Sequence, residues 1–335
     1  MSRDLLATSL TRRHVVRSSL GAAALALLPT RANFARAAQG TSDFAALGYP
    51  ELKVTITDSG YEGIPAALTA GRYLVTATAK TSGQSSPDQQ PPTVAFVSPT
   101  PAGVSAADFL QLLASMGGGT PPTDATPEMG DTPTAGGQQD GEEQQLPLFI
   151  YQMAFAGGVV LLDGQSDQVV LDLTPGEWVA WGDDPAAAQE PLVFQVTGDF
   201  PATVKEPSAD ITATLIDFAI QLEGNLTAGT HVLKIQLHGA QPHFLDLDKG
   251  PDTMTKAQVQ AALADQMSGT PVAGGLSQND LQPVFNSPTQ SIGTVTWHHV
   301  ELPAGTYLAA CFFPTAGTGV PHAMNGMIDV IKVTG

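Results

Sequence analysis

One property of this chain constrains its fold more than any other: the sequence repeats itself. Leu68-Thr69-Ala70-Gly71 recurs as Leu226-Thr227-Ala228-Gly229, and each copy runs on into an alternating stretch of strand type. Further matches keep the same order. Pro92-Thr93-Val94-Ala95-Phe96 corresponds to Pro242-His243-Phe244-Leu245-Asp246, and Leu173-Thr174-Pro175-Gly176-Glu177-Trp178 to Leu302-Pro303-Ala304-Gly305-Thr306-Tyr307. Val196-Thr197-Gly198 closes the first copy as Val333-Thr334-Gly335 closes the second. One helix is predicted in each copy, over 105–116 and 255–267, opened by a Ser or Thr cap. Both copies must therefore adopt one architecture.

Many short β-rich runs separated by Gly, Pro and Asp clusters select antiparallel sandwiches, in which alternate residues fill a core between two sheets. The expected class is all-β, with two tandem sandwiches over 47–198 and 207–335 and a linker at 199–206. A length of 335 residues suits two such domains. Residues 117–145 are poor in apolar side chains and acidic, a composition predicted to stay disordered, and 269–282 read as a shorter counterpart.

The N-terminus reads as an export signal over 1–37: Arg12-Arg13, a short apolar core from Leu20 to Leu28, and Ala35-Arg36-Ala37 as a small-residue cleavage site. That run is too short to span a bilayer, and no later stretch is long and apolar enough to do so. Destination by the twin-arginine route is the periplasm or the exterior. The chain carries 14 Lys and Arg against 32 Asp and Glu, a formal charge of −18. Residues 1–37 hold six of those basic residues and one of the acidic ones, leaving 8 against 31, a net of −23. Nucleic acid and anionic membrane surfaces are disfavoured as partners, while a protein with a basic docking face fits.

The single cysteine, Cys311, follows the strand-like run Gly305-Thr306-Tyr307-Leu308-Ala309-Ala310. A Gly/Pro loop then leads to His322-Ala323-Met324-Asn325-Gly326-Met327 and a last strand-like run. An odd cysteine in an exported chain points to an intermolecular bridge, a reactive thiol or a ligand. With Pro242-His243 upstream, a thiolate, two imidazoles and a thioether are available, the donor set that suits copper in electron transfer. In these residues the chain resembles the cupredoxins, the blue (type 1) copper proteins. Their pattern is an upstream Pro-His, then Cys, a loop, His, four residues and Met, and the resemblance covers roughly the last third of the chain. It implies a copper ion held by His243, Cys311 and His322, with Met327 as a weak axial ligand. Met324 is the fallback for that axial place, and zinc is the competing metal.

The same alignment puts Thr93 at the position of His243 and Gly182 at that of Cys311, so the first copy reads as a degenerate, structural domain. Among the other histidines, His231 reads as a surface residue and His238 as making a loop-fixing hydrogen bond rather than ligating a metal. His298 and His299 are expected on opposite faces of one strand. The clustered histidines of oxygen-reducing or nitrite-reducing copper enzymes are missing, as are a nucleophile elbow, a P-loop and a zinc protease motif. The expectation is therefore an exported, non-enzymatic copper protein that passes single electrons to a redox partner. Its alternative is a binding or structural module of the same fold whose site is empty, stores copper or holds zinc.

Overall fold

The computed structural model describes residues 44–81, 91–116, 146–162, 166–185, 187, 189–268, 276–277 and 280–335. The export signal at 1–37 and the acidic stretch at 117–145 lie outside these residues. The first copy contains β1 (Glu51–Thr57), β2 (Tyr61–Glu62), β3 (Ala67–Thr69), β4 (Gly71–Lys80) and β5 (Thr93–Ser98), then α1 (Ala106–Met116). It continues with β6 (Ala154–Val160), β7 (Ser166–Leu173), β8 (Gly176–Trp181) and β9 (Leu192–Thr197). The second contains β10 (Ile211–Ile216), β11 (Ala219–Gly224), β12 (Gly229–Leu237), β13 (Asp246–Gly250) and α2 (Lys256–Ser268), then β14 (Gln282–Asn286), β15 (Val295–Leu302), β16 (Gly305–Ala310) and β17 (Ile328–Val333).

Alternation in the sequence becomes burial in the strands. Leu52, Val54 and Ile56 of β1 point inward, as do Ile211, Ala213 and Leu215 of β10. Both helices open as their sequences require. Asp108 N–H donates to Ser105 Oγ (3.2 Å) while Ser105 N–H donates back to Asp108 Oδ2 (2.9 Å). Thr255 and Gln258 form the same reciprocal pair at α2.

Strand order is the same in both copies. One face runs β2-β1-β4-β7 in the first and β11-β10-β12-β15 in the second, and the other runs β6-β5-β8-β9 and β14-β13-β16-β17, with β3 added beyond β9 in the first. The all-β class expected from the sequence is what the structure has. Its sheets are mixed rather than purely antiparallel, because β1 with β4, β10 with β12 and β3 with β9 run parallel.

The two copies are also not separate sandwiches. Edge strands β7 and β15 pair antiparallel, Val170 opposite Trp297 and Val169 opposite His298, which fuses the two faces into one eight-stranded sheet. An unpaired edge exposes a row of N–H and C=O groups, and here each copy covers the other's. Leu173 and Leu302 occupy matching places opposite Gly71 and Gly229, so Val169 and His298 are equivalent residues facing each other. A local two-fold axis therefore passes through that pair. The ladder at the seam is short, and a net hydrogen bond contributes only about 0.5–1.5 kcal/mol. Packing weighs more, at roughly 1.5–3 kcal/mol for each large apolar side chain buried. Ala95, Val97, Phe109, Ile150, Phe155 and Trp181 of the first copy belong to the same buried cluster as the core of the second.

The linker is pinned as well. Arg72 makes a two-pronged ion pair with Asp172 (2.7 and 2.8 Å), donates to Lys205 O (3.1 Å) and lies over the Trp297 ring. Tyr49 donates to the same carbonyl at 2.6 Å.

Candidate metal centre

Three of the residues singled out in the sequence meet at one buried point. Strand β16 is paired on both sides, with β13 and β17, and delivers Cys311 directly beyond its last residue, Ala310. The loop that follows closes on itself: His322 N–H donates to Phe313 O (2.9 Å), Met327 N–H to His322 O (2.9 Å) and Cys311 N–H to Met327 O (3.2 Å). The turn before Met327 uses Gly326 at φ 104°, a left-handed conformation that disfavours any side chain. Ala316 N–H reaches across to Gln241 Oε1 (2.7 Å), tying this loop to the Pro242-His243 segment.

The resulting geometry is tight. His243 Nδ1 and His322 Nδ1 lie 2.9 Å apart, and Cys311 Sγ lies 3.7 Å from each. These three residues are the one group of His, Cys, Asp and Glu among the described residues that is arranged to hold a metal ion. All three are fully buried, and so is Met327, whereas Met324 is partly exposed. Met327 directly precedes β17 rather than starting it, and its backbone bonds join the Cys and His segments. Phe218 and Phe313 stack edge-on or tilted against His322, at 5.4 and 5.9 Å between ring centres. Phe244 and Phe312 are buried alongside.

Burial sets the protonation of this group. It pushes the Cys311 thiol up to about 12, with Asp246 adding to the effect and backbone N–H groups of Phe244 and Phe313 opposing it. Burial, then neighbouring His243, takes His322 down to about 3. His243 is likewise held below its usual range by burial, against the pull of Asp217. The metal-free site is thus a neutral thiol beside two neutral imidazoles. A soft thiolate and two imidazoles fit copper, and to hold it Cys311 would have to give up its thiol proton.

Two further residues, invisible as site residues in the sequence, complete the surroundings. The two-residue turn between β10 and β11 is Asp217-Phe218, with Phe218 at φ 62°, a strained value for a bulky side chain. Asp217 Oδ1 accepts from His243 Nε2 at 3.0 Å, and Phe218 lies on His322. Burial works against ionisation of Asp217, but hydrogen bonds from Gln241 N–H, His243 and Ala240 N–H outweigh it and hold the carboxyl below its usual range. The loop-fixing role expected of His238 belongs to this carboxylate. His238 points to solvent, and only its backbone N–H is engaged, with Leu215 O at 2.9 Å. The expectation for His231 is also overturned: it shares the inward register of Leu233 and Ile235, is buried, and its Nε2 lies 2.7 Å from Thr227 O.

The first copy reaches the site through residues 287–291. Gln290 exchanges both backbone hydrogen bonds with His243 (2.8 and 3.0 Å), while its neighbours bond to β6: Gly157 N–H to Thr289 O (3.0 Å) and Ser291 N–H to Phe155 O (2.9 Å). Asp183 Oδ2 accepts from both N–H and Oγ1 of Thr289. From the same copy, Tyr151 donates to Pro314 O (3.0 Å) and stacks on Phe313.

Among the described residues, the first copy holds no matching group of His, Cys, Asp and Glu. Gly182 does stand at the position of Cys311, directly beyond β8, but a Cβ there would run into the side chain of Ala187. Strand register shifts the other correspondence by one. Ala95 opposes Trp181 as Asp246 opposes Ala310, so Pro92, not Thr93, matches His243.

No family model matches the chain, and no curated protein matches it. Solved structures do. A dithionite-reduced auracyanin from the photosynthetic bacterium Roseiflexus castenholzii is 17% identical over 37% of this chain and 95% of its own, with a TM-score of 0.25. Auracyanin A, a "blue" copper protein from Chloroflexus aurantiacus, is 22% identical over 37% of this chain and 97% of its own, also at 0.25. A multi-copper oxidase from Pediococcus acidilactici is 9% identical over 85% of this chain and 59% of its own, at 0.20.

Proposed function

We propose that this chain is an exported copper protein that carries single electrons, holding one copper ion between His243, Cys311 and His322 with Met327 as the axial ligand. The observation that carries this reading is the meeting of two imidazole Nδ1 atoms and one thiol sulfur within 3.7 Å of one another at a fully buried point. Copper bound there supplies one-electron chemistry, and the protein's part is to keep the donors fixed and water out. Paired strands, the self-bonded loop and the rings of Phe218 and Phe313 against His322 do that, and rigidity favours transfer over bond-making. The full burial of His243, Cys311 and His322 supports a carrier rather than an enzyme.

Adding copper(II) to the metal-free protein should give an intense visible charge-transfer band at one equivalent, and Cys311→Ser should remove it while leaving the fold intact. A colourless wild type that takes one zinc and refuses copper overturns the metal assignment, and turnover of oxygen or nitrite by the protein alone overturns the carrier reading. The export reading rests on Arg12-Arg13 ahead of a short apolar core, with the mature chain starting near Ala38. Replacing both arginines with lysine should leave the precursor in the cytoplasm, and normal export of that variant would reject the route.

A further inference from the structure

We propose that Asp217 is a positioning residue that fixes His243 as its Nε2–H tautomer, so that Nδ1 presents a lone pair to Cys311 and His322. The inference deepens the metal-site reading above and rests on it for its purpose, though not for its geometry.

A neutral imidazole has one N–H and one lone pair, and the group facing one nitrogen decides which is which. A carboxylate can only accept, so His243 Nε2, at 3.0 Å from Asp217 Oδ1, carries the hydrogen. The carboxylate is itself held: Ala240 N–H donates to Oδ2 and Gln241 N–H to Oδ1, each at 3.1 Å. Both oxygens are thus engaged by donors, and neither can turn away without stranding a backbone N–H.

A second observation points the same way. A Cβ on Gly239 would lie 2.5 Å from His243 Nε2 and nearer still to Asp217 Oδ1. The backbone at 239 passes so close to this pair that only glycine leaves room for it. The tautomer then fixes the remaining proton. With His243 Nδ1 an acceptor, the 2.9 Å contact between the two Nδ1 atoms requires His322 to donate. His322 Nε2 is left as a buried lone pair without a hydrogen-bond partner. To offer Nδ1 as a ligand, His322 would have to carry its proton on Nε2 instead, whereas His243 is already in that form.

The test uses the full metal-free chain with 15N-labelled histidine, whose two-bond couplings report the tautomer of each ring. Wild-type His243 should show the Nε2–H form alone, and Asp217→Ala a mixture of both. Affinity for copper(II) and for zinc(II), measured by chelator competition, should fall by about 10–100-fold in Asp217→Ala, the usual effect of losing a group that orients a ligand. Gly239→Ala, which keeps the carboxylate but wedges the pair apart, should behave alike, and it decides the matter if Asp217→Ala does not fold. A wild-type His243 found as Nδ1–H, or an unchanged single tautomer in either alanine variant, overturns the proposal. A wild type that binds neither metal removes the carrier reading instead, and the tautomer still decides the role of Asp217.

Discussion

Polar side chains buried without charge set the chemistry of this molecule at the level of single residues. His298 is one, lying inside the sheet seam with Nε2 2.9 Å from Thr296 Oγ1, which in turn donates to Gln290 Oε1 at 3.2 Å. Burial, then the neighbouring His299, lowers His298 to about 3. In the unfolded chain it returns to about 6.5. Between those values the unfolded state binds the proton and the folded state does not, so this residue's contribution to stability falls as pH drops through that window. His298→Gln should be less stable than wild type near pH 7, from lost packing, and the gap in melting temperature should narrow as pH is lowered from 6.5 toward 4. A gap that stays constant or widens would show that His298 does not remain neutral in the fold.

Strands, turns and helices divide into those the sequence announces and those it hides. The repeat made the matching of β4 with β12 and β8 with β16 legible, and Ser105 and Thr255 marked both helix starts. His243, Cys311 and His322 were legible because donor type and spacing are properties of the chain itself. The seam was not: β7 and β15 read as ordinary strands, and which edge meets which is decided by tertiary packing. The one-residue slip between Pro92 and His243 was hidden for a related reason, since ladder register is fixed by partner strands and not by the Pro they share. Asp217-Phe218 looked like any polar-aromatic turn. Its role depends on Gly239 and His243 arriving from the far end of β12, a long-range meeting no local pattern encodes.

Charge acts over the whole molecule. With the first 37 residues set aside, 31 acidic side chains face 8 basic ones. A surface of that sign steers cationic partners and repels anionic ones over distances of about 8–10 Å, the screening length near physiological salt. On the proposed carrier role, electron exchange with a basic cytochrome, followed by stopped-flow, should slow as ionic strength rises, and a rate indifferent to salt would show that docking is not electrostatic.

The seam through Val169 and His298 gives the chain the character of a homodimer whose subunits have been spliced into one polypeptide. A short tether keeps such halves at an effective concentration on the order of millimolar, which no dilution in the surrounding medium lowers. The first copy thereby stays docked against the second as a lasting support. It caps the β15 edge, lends β6 and Asp183 to the segment behind His243, and is itself spared any need to keep a ligand set of its own.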